Sequence, residues 1–181
     1  MSTDQRFLQL FKKVQDDPAP WQEKVVKYLQ NGITMARFRR DPVKHFVLPW
    51  LEAIKITKAE KFSDTTAVIH YVFPIQHEFL NPAGGLHGGA AAAFFDVATT
   101  WVLFLIARAP NFWVSMGTTR TLNCTYLRPV REGEMVRLEA EIVHAGKRMC
   151  MLKAVLKRES DDALLVTCEH NKYNMDADLK L

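Results

Sequence analysis

Residues Asn81 to Ala107 read NPAGGLHGGAAAAFFDVATTWVLFLIA: a polar, glycine-rich entry, then a long apolar run broken by one acid, Asp96. The run predicts a single helix. Gly84, Gly85, Gly88 and Gly89 let backbone pass close to a ligand at its start, and Arg108 with Pro110 stops it at the far end. Such a helix start presents free N–H groups and the positive end of a dipole, which suits an oxyanion. By length alone, Gly88 to Ala107 would also span a bilayer. Against a span, Asp96 sits mid-run with Thr99 and Thr100 at i+3 and i+4 and Ala92 and Ala93 one turn before, so one face is small and polar. The flank before the run carries no basic anchor. A helix buried inside a soluble protein is the expected reading.

A distance constraint follows. If the Gly88 N–H polarises a carbonyl and Asp96 attacks it or activates water, both must lie near one carbon. Eight residues of helix span about 12 Å, against a contact distance of roughly 3 Å. One helix cannot bring both groups to one substrate, whereas two antiparallel copies related by a two-fold axis can, with Ala92 and Ala93 permitting close approach. An obligate homodimer, or a dimer of dimers, with sites shared between chains is expected.

The 181 residues are most simply one domain with a substantial core. With 48% hydrophobic and 24% charged residues, neither disorder nor a multispan membrane protein is indicated. A formal charge of +4 fits an anionic ligand; no long basic run or zinc-finger spacing points to nucleic acid. Cys124, Cys150 and Cys168 lack C-x-x-C spacing and are odd in number, so they read as small buried hydrophobes in a reducing compartment, cytoplasmic or mitochondrial matrix. The N-terminus shows no signal-peptide core, and Asp4, Asp16 and Asp17 argue against a mitochondrial presequence.

Outward from the central stretch, residues 1–50 read as a helical extension packed on the main domain. Phe7, Leu10, Phe11 and Val14 have helical spacing. A second helix carries Trp21, Val25 and Leu29 and is expected to end at Asn31-Gly32; Arg37, Arg39 and Arg40 form a short basic patch after it. The extension is expected to act as a lid over an acyl pocket. From Leu51 the period becomes two, with Ile54 and Ile56, then Thr65 to Phe73, as strands. After the long helix come Trp113 to Leu127, Met135 to His144, Arg148 to Lys157 and Leu164 to Tyr173, expected as an antiparallel meander, followed by a polar tail at 176–181. The fold class is α+β: one sheet wrapped around one central helix, with residues 51–175 as its domain.

Asn81, Gly85-Leu86-His87-Gly88-Gly89 and Asp96 nine positions after the histidine, on a helix start within this strand order, resemble the hotdog-fold acyl-CoA thioesterases, in the branch of the phenylacetic-acid-pathway type and thioesterase superfamily member 2. The resemblance covers roughly Leu51 to Tyr173. It implies that Asp96 activates water or attacks the thioester carbonyl, that Gly88 donates its N–H to the carbonyl oxygen, and that Asn81 and His87 order the loop. Thr119 falls where close relatives carry a serine that holds the water. By the same resemblance, Asp and the His-Gly pair come from opposite subunits. Thr121 and Tyr126 lie beside the pantetheine, Val143, His144, Ala145, Gly146, Lys147 and Arg148 form a turn near the nucleotide, and Lys172 meets phosphate. Gly146 with two cations is suited to that task, and Arg128 offers a further phosphate contact or a solvated turn residue. The substrate is an acyl-CoA, with no separate cofactor and no metal. Of Phe94, Phe95, Trp101, Phe104 and Trp113, one or two would line the acyl tunnel and the rest be core. His45, His70, His77, His144 and His170 show no partner in sequence. Rival readings are a hotdog dehydratase or hydratase and a non-catalytic acyl-CoA-binding protein.

Overall fold

A computed structural model describes residue 9 and residues 12–37 and 46–176. Most of the first predicted helix and of the basic patch lies outside these residues. Two helices precede the sheet: α1 (Trp21–Arg37) and α2 (Leu48–Ala53). α1 runs through Asn31-Gly32 rather than ending there. A glycine costs an interior helix position only about 1 kcal/mol, which the flanking helix formers outweigh. The amphipathic face of α1 decides its packing: Val25 is buried, and Tyr28 stacks on Phe104 with ring centroids 4.2 Å apart.

The sheet comprises β1 (Lys55–Lys61), β2 (Ala67–Pro74), β3 (Thr118–Tyr126), β4 (Met135–Ala145), β5 (Met149–Arg158) and β6 (Leu164–Tyr173), in the order β1-β2-β4-β5-β6-β3, with every pairing antiparallel. Only β4, β5 and β6 form a meander. β3 crosses to the far edge and pairs with β6, which corrects the expectation that it would open the meander. Its start also shifts. Trp113, Met116 and Gly117 adopt positive φ, so Trp113 to Gly117 form a turn and extended backbone begins at Thr118.

α3 (Gly88–Val102) continues as a 3-10 turn through Leu105 and lies against β2 through β6. The strand alternation supplies its bed: Val136, Leu138, Ala140 and Ile142 on β4 and Cys150, Leu152, Ala154 and Leu156 on β5 are all buried. Phe94 stacks on Trp50 of α2 (4.9 Å) and meets Phe73 and Phe79 edge-on. These rings hold the helix to the sheet at roughly 0.5–1.5 kcal/mol per pair beyond area burial. Residues Gly88 to Leu105 are long and apolar enough to cross a bilayer, yet that apolarity serves the sheet. The helix keeps a partly open stripe of Ala92, Ala93, Asp96, Val97 and Thr100.

Candidate active site

The loop before α3 is folded by its own polar groups. Asn81 Oδ1 accepts from the N–H groups of Ala83 (2.9 Å) and Gly85 (3.2 Å). The Leu86 N–H donates to Val130 O and the His87 N–H to Phe79 O, both at 2.8 Å. His87 is the N-cap of α3, its Nδ1 accepting from the Gly89 N–H at 2.9 Å. A histidine cap leaves the other first-turn N–H groups, Gly88 included, without intrahelical acceptors. Tyr126 of β3 donates its hydroxyl to Gly88 O at 2.7 Å, and a Cβ at Gly88 would stand 3.4 Å from the Tyr126 ring. The helix start is thus tied to the edge strand. Beside it opens a groove of about 410 Å³, within the range of small-molecule sites, whose lining includes Leu86, Ala91, Tyr126, Leu127, Val130 and Val166.

Asp96 occupies the same open side of α3, two turns on, with its side chain 44% exposed. Thr119 of β3 donates its hydroxyl to Asp96 Oδ1 at 2.7 Å; among the described residues no hydrogen bond engages Oδ2. Behind this pair lies His170 of β6, fully buried. Its Nε2 is 3.0 Å from Thr119 Oγ1 and 3.5 Å from Asp96 Oδ1, and its Nδ1 is 2.6 Å from Thr99 Oγ1. Burial, reinforced by the nearby Lys172 charge and opposed by Asp96, pulls the imidazole down to about 4, so it is neutral near pH 7. The single hydroxyl hydrogen of Thr119 goes to Asp96, which requires the ring hydrogen on Nε2 and an acceptor at Nδ1. Thr119 thus accepts from His170 and donates to Asp96, while the one hydroxyl hydrogen of Thr99, whose Oγ1 is also 2.6 Å from Phe95 O, is shared between that carbonyl and His170 Nδ1.

A second arm meets the same turn of helix. Lys172, two residues along β6 on the same inner face, is 3% exposed and donates from Nζ to Thr100 Oγ1 at 2.7 Å, while Thr100 donates to the Asp96 carbonyl at 2.6 Å. Burial holds the Lys172 ammonium below its ordinary value, with Asp96 and Cys150 opposing. The chemistry available is thus a carboxylate with one oxygen fixed and one free, on an open helix face, and an unpaired N–H at the start of that helix.

Residues 83–164 match the Thioesterase superfamily. Human acyl-coenzyme A thioesterase 13 is 28% identical over 134 residues, 67% of this chain and 91% of that protein. An esterase of Caenorhabditis elegans is 27% identical over 96 residues, 53% of this chain and about half (54%) of that protein. The crystal structure of mouse thioesterase superfamily member 2 superposes with a TM-score of 0.65 at 19% identity, covering 86% of this chain and 98% of that one. The fold is that of the hotdog thioesterase structures.

Within this hotdog the residues expected around the reaction separate into groups. Asn81, His87 and Gly88 share the helix entry, joined by Tyr126. Asp96 and Thr119 meet each other, but not Gly88, within one chain. Thr121 is exposed and accepts from Asn171 Nδ2 at 3.0 Å. Val143, His144 and Ala145 belong to β4, not to the following turn, because a bulge between Ile142 and His144 lets the strand run on and exposes both Val143 and His144. The turn itself is Gly146 to Arg148. Trp113 Nε1 pins it through Gly146 O (2.9 Å) and Asn174 Nδ2 through Lys147 O (3.0 Å), with the Lys147 and Arg148 side chains exposed. Lys172, expected at a phosphate, lies with its ammonium inside this chain, under α3, because even-numbered β6 residues face the helix. Arg128 donates to Leu164 O at 2.5 Å.

His170 is the residue that the linear sequence missed. A histidine inside a strand carries no local mark of its partner, and only the pairing of β6 with β3 and the seating of α3 bring Thr99, Thr119 and Asp96 to it. The sole available signal was the period-two spacing of Cys168, His170 and Lys172 in the last expected strand.

Proposed function

We propose that this protein hydrolyses acyl-CoA thioesters to a free acid and coenzyme A, at sites completed across a homodimer. The Gly88 N–H of one protomer donates to the thioester carbonyl oxygen, and charge that develops on that oxygen is stabilised by the helix start. Asp96 of the facing protomer attacks the carbonyl carbon or takes a proton from an attacking water. Either route expels the thiolate of coenzyme A, which is protonated as the thiol; after direct attack, water then hydrolyses the acyl-aspartyl anhydride to the free acid and restores Asp96. The observation that carries the reading is Asp96 itself: a half-exposed carboxylate with Oδ1 fixed by Thr119 and Oδ2 open, on the helix whose unpaired start faces a groove.

Two features support the dimer. The open stripe of α3 is built of small residues, which allows a second helix to approach closely. The two sheet edges also differ. β1 carries Lys55, Lys58, Glu60 and Lys61, charges that discourage pairing, whereas β3 carries only Arg120 among nine residues and leaves its outer edge for a second copy. Apolar lining of the groove beside Gly88 suits an acyl chain or aryl group. The exposed Lys147 and Arg148 beside a pinned backbone turn suit the nucleotide phosphates.

The test is release of free thiol from a panel of acyl-CoAs, followed with a thiol reagent, alongside hydration of an enoyl-CoA. Wild type is expected to release thiol, and Asp96→Asn to lose on the order of 10²–10⁴ in kcat while still binding ligand and dimerising. Hydration without thiol release would mark a hydratase. Binding with neither reaction would mark a carrier, and undiminished turnover in Asp96→Asn would remove Asp96 from the chemistry.

A further inference from the structure

Thr119 stands where the hold on β3 is weakest. β3 is the last strand of the sheet and pairs within the chain with β6 alone, and a bulge between Thr119 and Thr121 breaks that ladder just after the residue. On the near side of the bulge two pairs remain, Thr118 with Tyr173 and Thr119 with Lys172. Before them lies the turn of residues 113–117, with positive φ at Trp113, Met116 and Gly117. So short a paired stretch leaves the turn a share in setting where Thr119 stands.

That turn is gripped from outside itself. Asp176 is 3% exposed; its Oδ2 accepts from the Val114 N–H at 2.6 Å, and its Oδ1 accepts from the Ser115 N–H at 2.9 Å and from the Ser115 hydroxyl. Ser115 Oγ also accepts from the Gly117 N–H at 3.4 Å, which carries the grip on to the residue before β3. Hydrogen bonds to a carboxylate are roughly twice as strong as those between neutral groups. Asp176 has its own anchor. Its N–H donates to Asn174 Oδ1 at 3.0 Å, while Asn174 donates from its backbone N–H to Arg148 O at 2.8 Å and from Nδ2 to Lys147 O at 3.0 Å. The carboxylate is therefore fixed against the end of β6 and the turn between β4 and β5, not against the turn it holds.

Building on the proposed hydrolysis, we infer that Asp176 is a positioning residue for Thr119: by gathering the N–H groups of Val114 and Ser115 it fixes the turn from which β3 starts, and with it the hydroxyl that holds Asp96 Oδ1. Asp176 does not line the groove beside Gly88, and its bonds go to the turn rather than to Asp96. Its contribution passes through four residues of backbone, from Ser115 to Thr119. A displacement of about 1 Å in a group that aims a reacting atom costs on the order of 100-fold in rate, so a loosened turn is felt at the carboxylate without any change in the site's own residues.

The experiment compares wild type with Asp176→Asn and Ser115→Ala, each alone and combined with Thr119→Val, at a temperature where melting curves show the variants folded. Asp176→Asn turns one acceptor into a donor that faces N–H groups. Ser115→Ala removes only the hydroxyl arm and reads the same grip should the first variant fail to fold. With an acyl-CoA substrate, kcat is expected to fall roughly 10- to 100-fold in Asp176→Asn and about 3- to 10-fold in Ser115→Ala, with KM within about twofold of wild type. In the Thr119→Val background either substitution should cost less than about twofold more, because the hydroxyl that they place is already gone. Independently of turnover, amide hydrogen exchange should quicken about tenfold across residues 113–119 and stay unchanged in β4 and β5. Equal losses with and without Thr119→Val overturn the inference, since they mark a plain contribution to folding. An undiminished kcat in the folded variants overturns it too, as does exchange that quickens throughout the sheet. If wild type releases no thiol while exchange quickens only across 113–119, the link from Asp176 to Thr119 stands and it is the hydrolytic reading that falls.

Discussion

Asp96 is held through a hydroxyl, and Thr119 is a residue whose β-branch limits where that hydroxyl can point. Thr119→Val keeps the shape and removes the donor to Oδ1. Leaving a carboxylate oxygen and the His170 N–H without partners costs about 2–3 kcal/mol, so kcat is expected to fall by roughly 30- to 150-fold, with Thr119→Ser restoring most of it. Steady-state kinetics of the pair check this, and a valine variant as active as wild type would leave Thr119 a mere edge-strand residue. His170 makes a second statement, about pH. The folded state keeps it neutral down to about 4, while an unfolded chain takes up its proton near 6.5. Below 6.5 the unfolded state binds more protons, so the stability present at neutral pH is lost as pH falls from about 6.5 towards 4. The magnitude is about 3 kcal/mol at 1.36 kcal/mol per unit. Urea unfolding at pH 7 and pH 4 should show wild type losing about that much more than His170→Gln; equal losses would place the acid sensitivity elsewhere.

At the scale of elements, α3 was legible from its residues because its signals are local: a capping histidine between glycines, an unbroken apolar run and a stop. The strands of β4, β5 and β6 were legible for the same reason, their alternation matching the buried set at Val136 to Ile142 and Cys150 to Leu156. Element ends were less so. Asn31-Gly32 resembles a helix terminus, yet a helix end is decided by what the next turn packs on, and α1 continues to Arg37. The start of β3 depends on Gly117, which combines φ +61° with no room for a side chain, since a Cβ would stand 2.4 Å from Tyr173 O and 2.7 Å from the Trp113 ring. Gly117→Ala is therefore expected to cost about 3 kcal/mol. It should lower activity through a displaced Thr119 as well. Thermal unfolding and kcat of the one variant measure both, and an unchanged melting temperature would mean that the turn relaxes freely.

For the whole molecule, the spacing of Gly88 and Asp96 along one rigid helix places the decisive expectation on assembly. Gly88→Pro is the informative partner for Asp96→Asn, because proline is tolerated at the first helical position while it removes the N–H. Each variant alone should be inactive. Chains unfolded together and refolded as a mixture should recover about a quarter of wild-type activity, since random pairing puts half the dimers in mixed form with one intact site each. No recovery, in mixtures whose dimers form normally, would mean that the two groups do not serve one substrate.

The sequence by itself determined the central helix, its glycine-rich entry, the acid on its open face and the alternation of the strands around it. Each is written in the chemistry of adjacent residues and in periods of two or 3.6. The tertiary structure alone decided the strand order that carries β3 to the far edge, and with it the meeting of Thr99, Thr119, His170 and Lys172 around Asp96. That order is a choice among long-range pairings, settled by which arrangement of the sheet covers the apolar sides of α3, and no short window of residues encodes it.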